Sequence, residues 1–396
     1  MSEIDALWAF LVAGVVSVTL TPLAARIARR VGAVDVPKER SSHERATPFM
    51  GGLAILAGVL VAGLLFMPGG EQTTAILGGA VLITVVGLVD DAVDLSPGVK
   101  LLGQLAAALV LVLADVRVEN VTIPFLGPIH LGAGLGGALT AVGIVAVMNI
   151  VNFTDGMDGL AAGVCTIGAA TFAIIALSLD RVDAGILAAL TAGAAVGFLW
   201  HNFHPASIFM GDAGANLLGF LLAAVAIQGV LKTAAVIAVV FPLVILAVPI
   251  LDFSFVVLKR LKYRRPVYSA DRWHFHHRFA NIGFSQRRTV LYLYAWTLTL
   301  AALALALRFV PYSEDGGDLR LGWTLVLVAF GLVALAASLY LIYVLEILKL
   351  KRLRELQLRR QAAERGEPPP SEREIEEQIE REVETGEFEA VPREGP

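Results

Sequence analysis

Charge is scarce in this sequence. Of its 396 residues, 17% are Asp, Glu, Lys or Arg and 57% are hydrophobic, and mean hydropathy is +0.73. That scarcity excludes a soluble protein of this size and points to a polytopic membrane protein. Cysteine is almost absent too. Cys165, the one thiol, sits in an apolar run, so an internal disulfide is impossible and packing is its natural role. The first residues carry Glu3 and Asp5 but no Lys or Arg, the wrong sign for a cleavable signal peptide. No internal repeat is visible, which weighs against a secondary transporter built from inverted repeats.

What is present is a series of apolar runs. Eleven approach the length of about 20 residues that a crossing helix needs: near 5–25, 51–67, 74–90, 98–114, 132–151, 159–178, 183–200, 212–230, 233–258, 289–309 and 321–345. The fold expected is an all-α polytopic integral membrane protein. Of the 31 Lys and Arg, 26 fall in the odd-numbered connections and the tail, and five on the other side: Arg117, Arg181, Lys232, Arg308 and Arg320. The positive-inside rule then puts the N-terminus outside and the odd loops and C-terminus in the cytoplasm. Outside, Val116 to Leu131 is too polar to span and reads as a small β-hairpin. The ninth run contains Pro242 and Pro249, which predicts a bent or broken helix. Residues 1–345 form the transmembrane domain on this reading. Residues 346–396, Arg-rich then Glu-rich around Pro368-Pro369-Pro370, form a charged cytoplasmic tail, helical and then partly disordered.

Chemistry is concentrated in the odd loops. The apolar run from Ala75 to Val89 ends in Asp90-Asp91-Ala-Val-Asp94. Carboxylates at the edge of lipid are costly and mark function. On a helix Asp94 comes back one turn later beside Asp90 and Asp91, and three like charges repel unless a cation sits among them. Mg²⁺ suits such a site, because it takes one or two carboxylates and keeps positions for water and phosphate. Lys100 follows, with Gln104 on the next run. The third loop gathers Asn149, Asn152, Asp155 and Asp158 with Gly156 and Gly159, and Asn149 falls at lipid depth, where turn chemistry does not explain it. The fourth ends in Phe209-Met-Gly-Asp212-Ala-Gly214, with Asp212 at a helix start. The first loop offers Arg40 and His43 before Gly51-Gly52, where a helix start permits close approach to a ligand or another helix. The fifth holds Arg264, Arg265, Arg272, His274, His276 and His277. Three histidines without cysteine but among arginines fit an anion better than zinc. Acidic metal ligands, glycine-opened helix starts and a basic loop at one membrane face are the equipment of phosphoryl transfer.

These blocks resemble the polyprenyl-phosphate N-acetylhexosamine-1-phosphate transferase superfamily, which includes the WecA and TagO types and the MraY translocase. They are Asp-x-Pro-x-x-Arg-x-x-His with Gly-Gly (35–52), Val-Asp-Asp-x-x-Asp (89–94), Asn-x-x-Asn-x-x-Asp-Gly-x-Asp-Gly-Leu-Ala (149–161), Phe-Met-Gly-Asp-x-Gly (209–214) and Asp-Arg-x-His-x-His-His-Arg (271–278). The order is the family's. Ala46 and Ala215 depart from its usual proline and serine.

The resemblance implies that a UDP-sugar and undecaprenyl or another polyprenyl phosphate give the polyprenyl-diphospho-sugar and UMP, with Mg²⁺ or Mn²⁺ in its place. It makes Asp90 and Asp91 the catalytic pair and Asp91 and Asp212 the metal ligands. Asp155 and Asp158 would line the nucleotide side, and His274, His276 and His277 would hold phosphate or sugar. Asp94, Lys100, Asn149, Asn152, Arg40, His43, Arg264, Arg265 and Arg272 complete the expected substrate-binding set. His-x-His-His-Arg resembles the GlcNAc-1-phosphate branch, the phospho-MurNAc-pentapeptide branch being the alternative. The expected setting is a bacterial plasma membrane, with the site on the cytoplasmic face, at the first membrane step of cell-envelope glycan synthesis. Nucleic acid has no part in it, and a homodimer is left open.

Overall fold

A computed structural model describes residues 2–35, 46–123, 127–231, 242–262, 285–312 and 320–343, and isolated positions between 358 and 377. Arg40, His43, Arg264, Arg265, Arg272, His274, His276, His277 and most of the tail lie outside the described residues.

The helices follow the apolar runs. In chain order they are α1 (Glu3–Val31), α2 (Gly51–Phe66), α3 (Glu71–Val93), α4 (Pro97–Leu113), α5 (Gly132–Thr154), α6 (Leu160–Ser178), α7 (Val182–Asn202), α8 (Gly211–Val225), α9 (Ala247–Lys262), α10 (Gln286–Phe309) and α11 (Leu321–Tyr343). Eight of the described helices are long and apolar enough to cross a membrane, α8 being continued as far as Gly229; α2 and α4, at 16 and 17 residues, are apolar but shorter. The chain is a multi-pass membrane protein. In the ninth run the helix is interrupted at Leu246. Pro249 has no N–H to give to the carbonyl of Ile245, which accounts for a break at that point.

Two compact units divide the described chain: Met1–Ile250 with Leu293–Val310, and Leu251–Tyr292 with Pro311–Pro396. In the second, Arg320 N–H and the Thr324 hydroxyl both donate to Tyr312 O, at 2.8 and 3.1 Å, at the start of α11.

The first unit is built on small residues. Lipid offers no hydrophobic drive between helices, so close backbone packing must hold them together. The α1 face toward its neighbours is Ala6, Ala9, Ala13, Ser17, Thr21, Ala24 and Ala28, all buried. On α7, Gly193 and Gly197 stand one turn apart against the α1 backbone, where added Cβ atoms would strike Phe10 O and Gly14 O. Helix α8 is the centre: α2, α3, α5, α6 and α7 all pack on it, and every residue from Ala213 to Val225 is buried. Cys165 is buried in the same core.

Two short antiparallel ribbons accompany the helices. Strands β3 (Asn120–Ile123) and β4 (Gly127–His130) pair with Asn120 opposite His130. Strands β1 (Val34–Asp35) and β2 (Thr47–Pro48) pair across the first loop, at two residues each too short to leave a period in the sequence.

Candidate active site

The site forms where the ends of α3 and α5 meet the starts of α4 and α8. Helix α3 stops at Val93 because Asp94 turns left-handed (φ 53°), its N–H closing on Asp90 O at 2.9 Å. Three residues later Pro97 opens α4, where its missing N–H costs nothing. That tight turn sets Lys100, in the first turn of α4, against Asp90, and Leu95 N–H donates to Asp90 Oδ1 at 2.9 Å. Helix α8 starts at Gly211, whose φ of +72° suits glycine, and a Cβ there would lie 2.5 Å from Asp91 Oδ2. The α8 start is also tied to α2: Gly51 N–H donates to Phe209 O and Gly52 N–H to Met210 O, both at 3.0 Å. The Gly-Gly pair thus serves a helix–helix approach.

Lys100 is the hub. Its Nζ lies 2.8 Å from Asp90 Oδ2 and 2.7 Å from Asp212 Oδ2. Asn152, at the end of α5, donates its amide to the other oxygen of Asp212 and accepts a long bond from Lys100 at 3.4 Å. Asp91 turns to the backbone, accepting Asp212 N–H at 2.8 Å and Ala213 N–H at 3.3 Å. It caps α8 from another helix, so the Asp212 side chain, within the first turn, is engaged by Lys100 and Asn152 and not by its own helix end.

A second polar layer lies one turn deeper. Gln104 donates to Asn216 Oδ1 at 2.7 Å and accepts from Asn149 at 2.8 Å, and Asn216 donates to Asp212 O at 2.8 Å. Gln104 and Asn216 are buried. Asn149 therefore belongs to this supporting layer, its amide shared between Gln104 and Val145 O.

Above the hub opens a cavity of about 560 Å³, lined by the carboxylates Asp35, Asp91, Asp155, Asp158 and Asp212, with Asn152 and Asn202. Asp158 is fixed by His204 Nδ1 at 2.8 Å and Ala206 N–H at 3.1 Å, and Asn202 accepts Gly159 N–H at 3.0 Å. Burial, then the charges of Asp212, Asp91 and Asp158, pushes the Asp155 carboxyl up to about 7.

Of the expected residues, the fold brings together Asp90, Asp91, Lys100, Asn152, Asp155, Asp158 and Asp212. Asp94 is different. The helix ends before it, so it does not stack on Asp90 and stands exposed, off the cavity. Asp90 is 7% exposed, and its oxygens are taken by Leu95 N–H and Lys100. Sequence reasoning gave no role to Gln104, Asn216, Asn202 or His204. The signal was legible for two of them: Gln104 and Asn216 follow Lys100 and Asp212 by four residues inside apolar runs, one helical turn deeper.

The donor set fits a divalent cation. Its groups are oxygens, and five carboxylates around one cavity would repel a diphosphate unless neutralised. Among the described residues no group of three or more Asp, Glu, His or Cys side chains is placed to hold a metal ion by itself. A cation here would complete its shell with water and substrate oxygens, as Mg²⁺ does.

The glycosyl transferase family 4 profile matches residues 73–230, the stretch holding α3 to α8. A probable undecaprenyl-phosphate N-acetylglucosaminyl 1-phosphate transferase of Bacillus subtilis (strain 168) is 39% identical over 301 residues, 75% of this chain and 84% of its own. A decaprenyl-phosphate N-acetylglucosaminephosphotransferase of Mycobacterium leprae (strain TN) is 37% identical over 72% of this chain and 79% of its own. A phospho-N-acetylmuramoyl-pentapeptide-transferase of Desulforudis audaxviator (strain MP104C) is 35% identical over 75% and 95%. With matches of this length and a carboxylate–lysine hub built by the matched helices, the chain belongs to the polyprenyl-phosphate N-acetylhexosamine-1-phosphate transferase superfamily.

Proposed function

We propose that this protein transfers N-acetylglucosamine 1-phosphate from UDP-N-acetylglucosamine to polyprenyl phosphate and releases UMP. The observation that carries the reading is the 560 Å³ cavity, where Asp91, Asp155, Asp158 and Asp212 converge beside Lys100. Its volume suits a nucleotide-sugar, and its charge suits a substrate that arrives with a divalent cation.

One oxygen of the lipid phosphate attacks the β-phosphorus of the UDP-sugar. A new P–O bond forms, the bond to the bridging oxygen breaks, and that oxygen leaves with UMP. A phosphate monoester has a second pKa of about 6, so the nucleophile is largely dianionic already and needs little base catalysis. Positioning and charge neutralisation are the larger tasks. Asp91 and Asp212 would hold Mg²⁺, which when bound neutralises the diphosphate. Asp90 acts through Lys100, fixing its ammonium beside Asp212. Asp155 and Asp158 face the nucleotide, and the family resemblance assigns phosphate binding to the arginines and histidines between 264 and 277.

The charge bias supports a site at the cytoplasmic face and a β3–β4 hairpin outside. Cysteines introduced at Gly70 and Asp315 should label from outside, and one at Pro392 only after permeabilisation. Truncation after Gln361 should leave activity within a few-fold, as expected of a solvated tail.

The deciding experiment gives purified protein undecaprenyl phosphate and a panel of UDP-sugars. UMP should appear only with lipid present, and fastest with UDP-N-acetylglucosamine. Turnover of UDP-MurNAc-pentapeptide alone would move the chain to the branch of its 35% identical relative. A stoichiometric burst of UMP without lipid, with phosphosugar trapped on an aspartate, would replace direct attack by a covalent mechanism.

A further inference from the structure

We propose that a second cavity, between α1 and the end of α7, binds the phosphate head group of an anionic lipid. It measures about 250 Å³, and its polar lining is Thr21, Arg26, Arg29, His201 and Ser207. Among the described residues no carboxylate lines it. Guanidinium groups donate and do not accept, so such a lining selects an anion.

Proline builds this site. Pro22 lies inside α1 and has no N–H for Val18 O. His201 Nε2 donates to that carbonyl instead, at 3.0 Å, which fixes the imidazole at the cavity wall. Arg26 and Arg29 follow Pro22 by four and seven residues, on the same helical face. Neither has an ion pair or hydrogen-bond partner among the described residues. Ser207 is held by the same residue, its N–H and hydroxyl donating to His201 O at 2.9 and 2.8 Å.

Depth and surroundings point to a lipid phosphate. Trp200, beside His201, is 80% exposed, and exposed tryptophan marks the membrane interface. Leu23 and Ile27 of α1 flank Arg26 and are exposed as well. Basic pockets between helices at that level take lipid head groups. The site is separate from the carboxylate cavity. The segment from His201 to Asp212 walls both, with Ser207 and Ile208 on this side and Phe209 and Gly211 on the other. An occupant would brace the loop that ends in Asp212.

The test uses the full chain in phosphatidylcholine micelles, titrated with phosphatidylglycerol, polyprenyl phosphate or inorganic phosphate, with the thermal unfolding midpoint as readout. A saturable rise with phosphatidylglycerol is expected, and none with inorganic phosphate. R26Q and R29Q should each raise the half-saturating mole fraction about three-fold or more, with R29K falling between. R30Q, exposed on the same helix but outside the cavity, should leave it unchanged. Saturation by polyprenyl phosphate alone, lost in R26Q and R29Q, would support the site and assign it to that lipid. Equal losses in R30Q, or an unaltered response in the R26Q/R29Q double variant, would overturn it. Lipid retention by native mass spectrometry makes the same comparison for any variant whose midpoint shifts in phosphatidylcholine alone.

Discussion

Asp91 Oδ1 accepts the backbone N–H of Asp212 at 2.8 Å, so one proposed metal ligand holds the helix end that carries the other. Two roles therefore meet in Asp91, and two substitutions separate them. Asp91→Ala should lose a cap, about 1 kcal/mol of stability, together with activity. Asp91→Asn retains an acceptor oxygen and most of that stability, yet UMP release should still fall about 10²-fold or more, the scale of losing one electrostatic contact to the transition state. Near-native activity in Asp91→Asn would leave it a cap alone.

Lys100 makes the second prediction. Lys100→Met strands Asp90, 7% exposed, beside Asp212 with no counter-charge. Breaking a buried pair from one side destabilises by about 3–5 kcal/mol. The double variant Asp90→Asn/Lys100→Met should recover part of that loss without recovering activity. Strictly additive stability effects in the double variant would show that the two groups do not depend on each other.

How much of this was written in the sequence differs residue by residue. The apolar runs placed the helices, because lipid-length hydrophobicity has few other meanings. Asp91, Asp155, Asp158 and Asp212 were legible as acids at run ends, and the cavity gathers them. Asp94 was not, since its place depended on whether α3 continued past Val93. That turned on one left-handed residue. The burial of Asp90 was equally hidden, because it is set by Leu95 N–H and Lys100 across a turn. Arg26 and Arg29 read only as positive-inside signal. Their common cavity depends on how α1 and α7 pack, and no one-dimensional pattern encodes it.

The deeper polar layer yields a third prediction. Gln104→Leu leaves Asn216 Oδ1 without its donor in a buried setting. An unsatisfied buried group costs about 1–3 kcal/mol. Asn216→Leu also removes the bond to Asp212 O. As positioning residues, both should lower kcat with little change in KM. The double Leu variant should cost less stability than the two singles together, since two leucines leave neither amide stranded against the other. A KM effect with kcat intact would place these amides in substrate contact instead.

The last prediction concerns pH. The Asp155 carboxyl stands at about 7 in the fold against an ordinary 3.8, raised first by burial and then by Asp212, Asp91 and Asp158. A carboxyl raised on folding holds its proton more tightly in the native state. Its contribution to stability is fully present below the unfolded value and is lost as pH rises through the folded one. Without divalent cations, the unfolding midpoint should therefore fall between about pH 4 and pH 7 and level off above that. Asp155→Asn, which cannot ionise, should flatten that fall. The same linkage fixes the sign for a bound cation. Ionised Asp155 adds charge to the cavity, so stabilisation by Mg²⁺ should be larger at pH 8 than at pH 6, and the difference should shrink in Asp155→Asn. Thermal scans of both proteins across this range, with and without Mg²⁺, measure all four quantities. Parallel slopes for wild type and variant would mean that another group governs the titration.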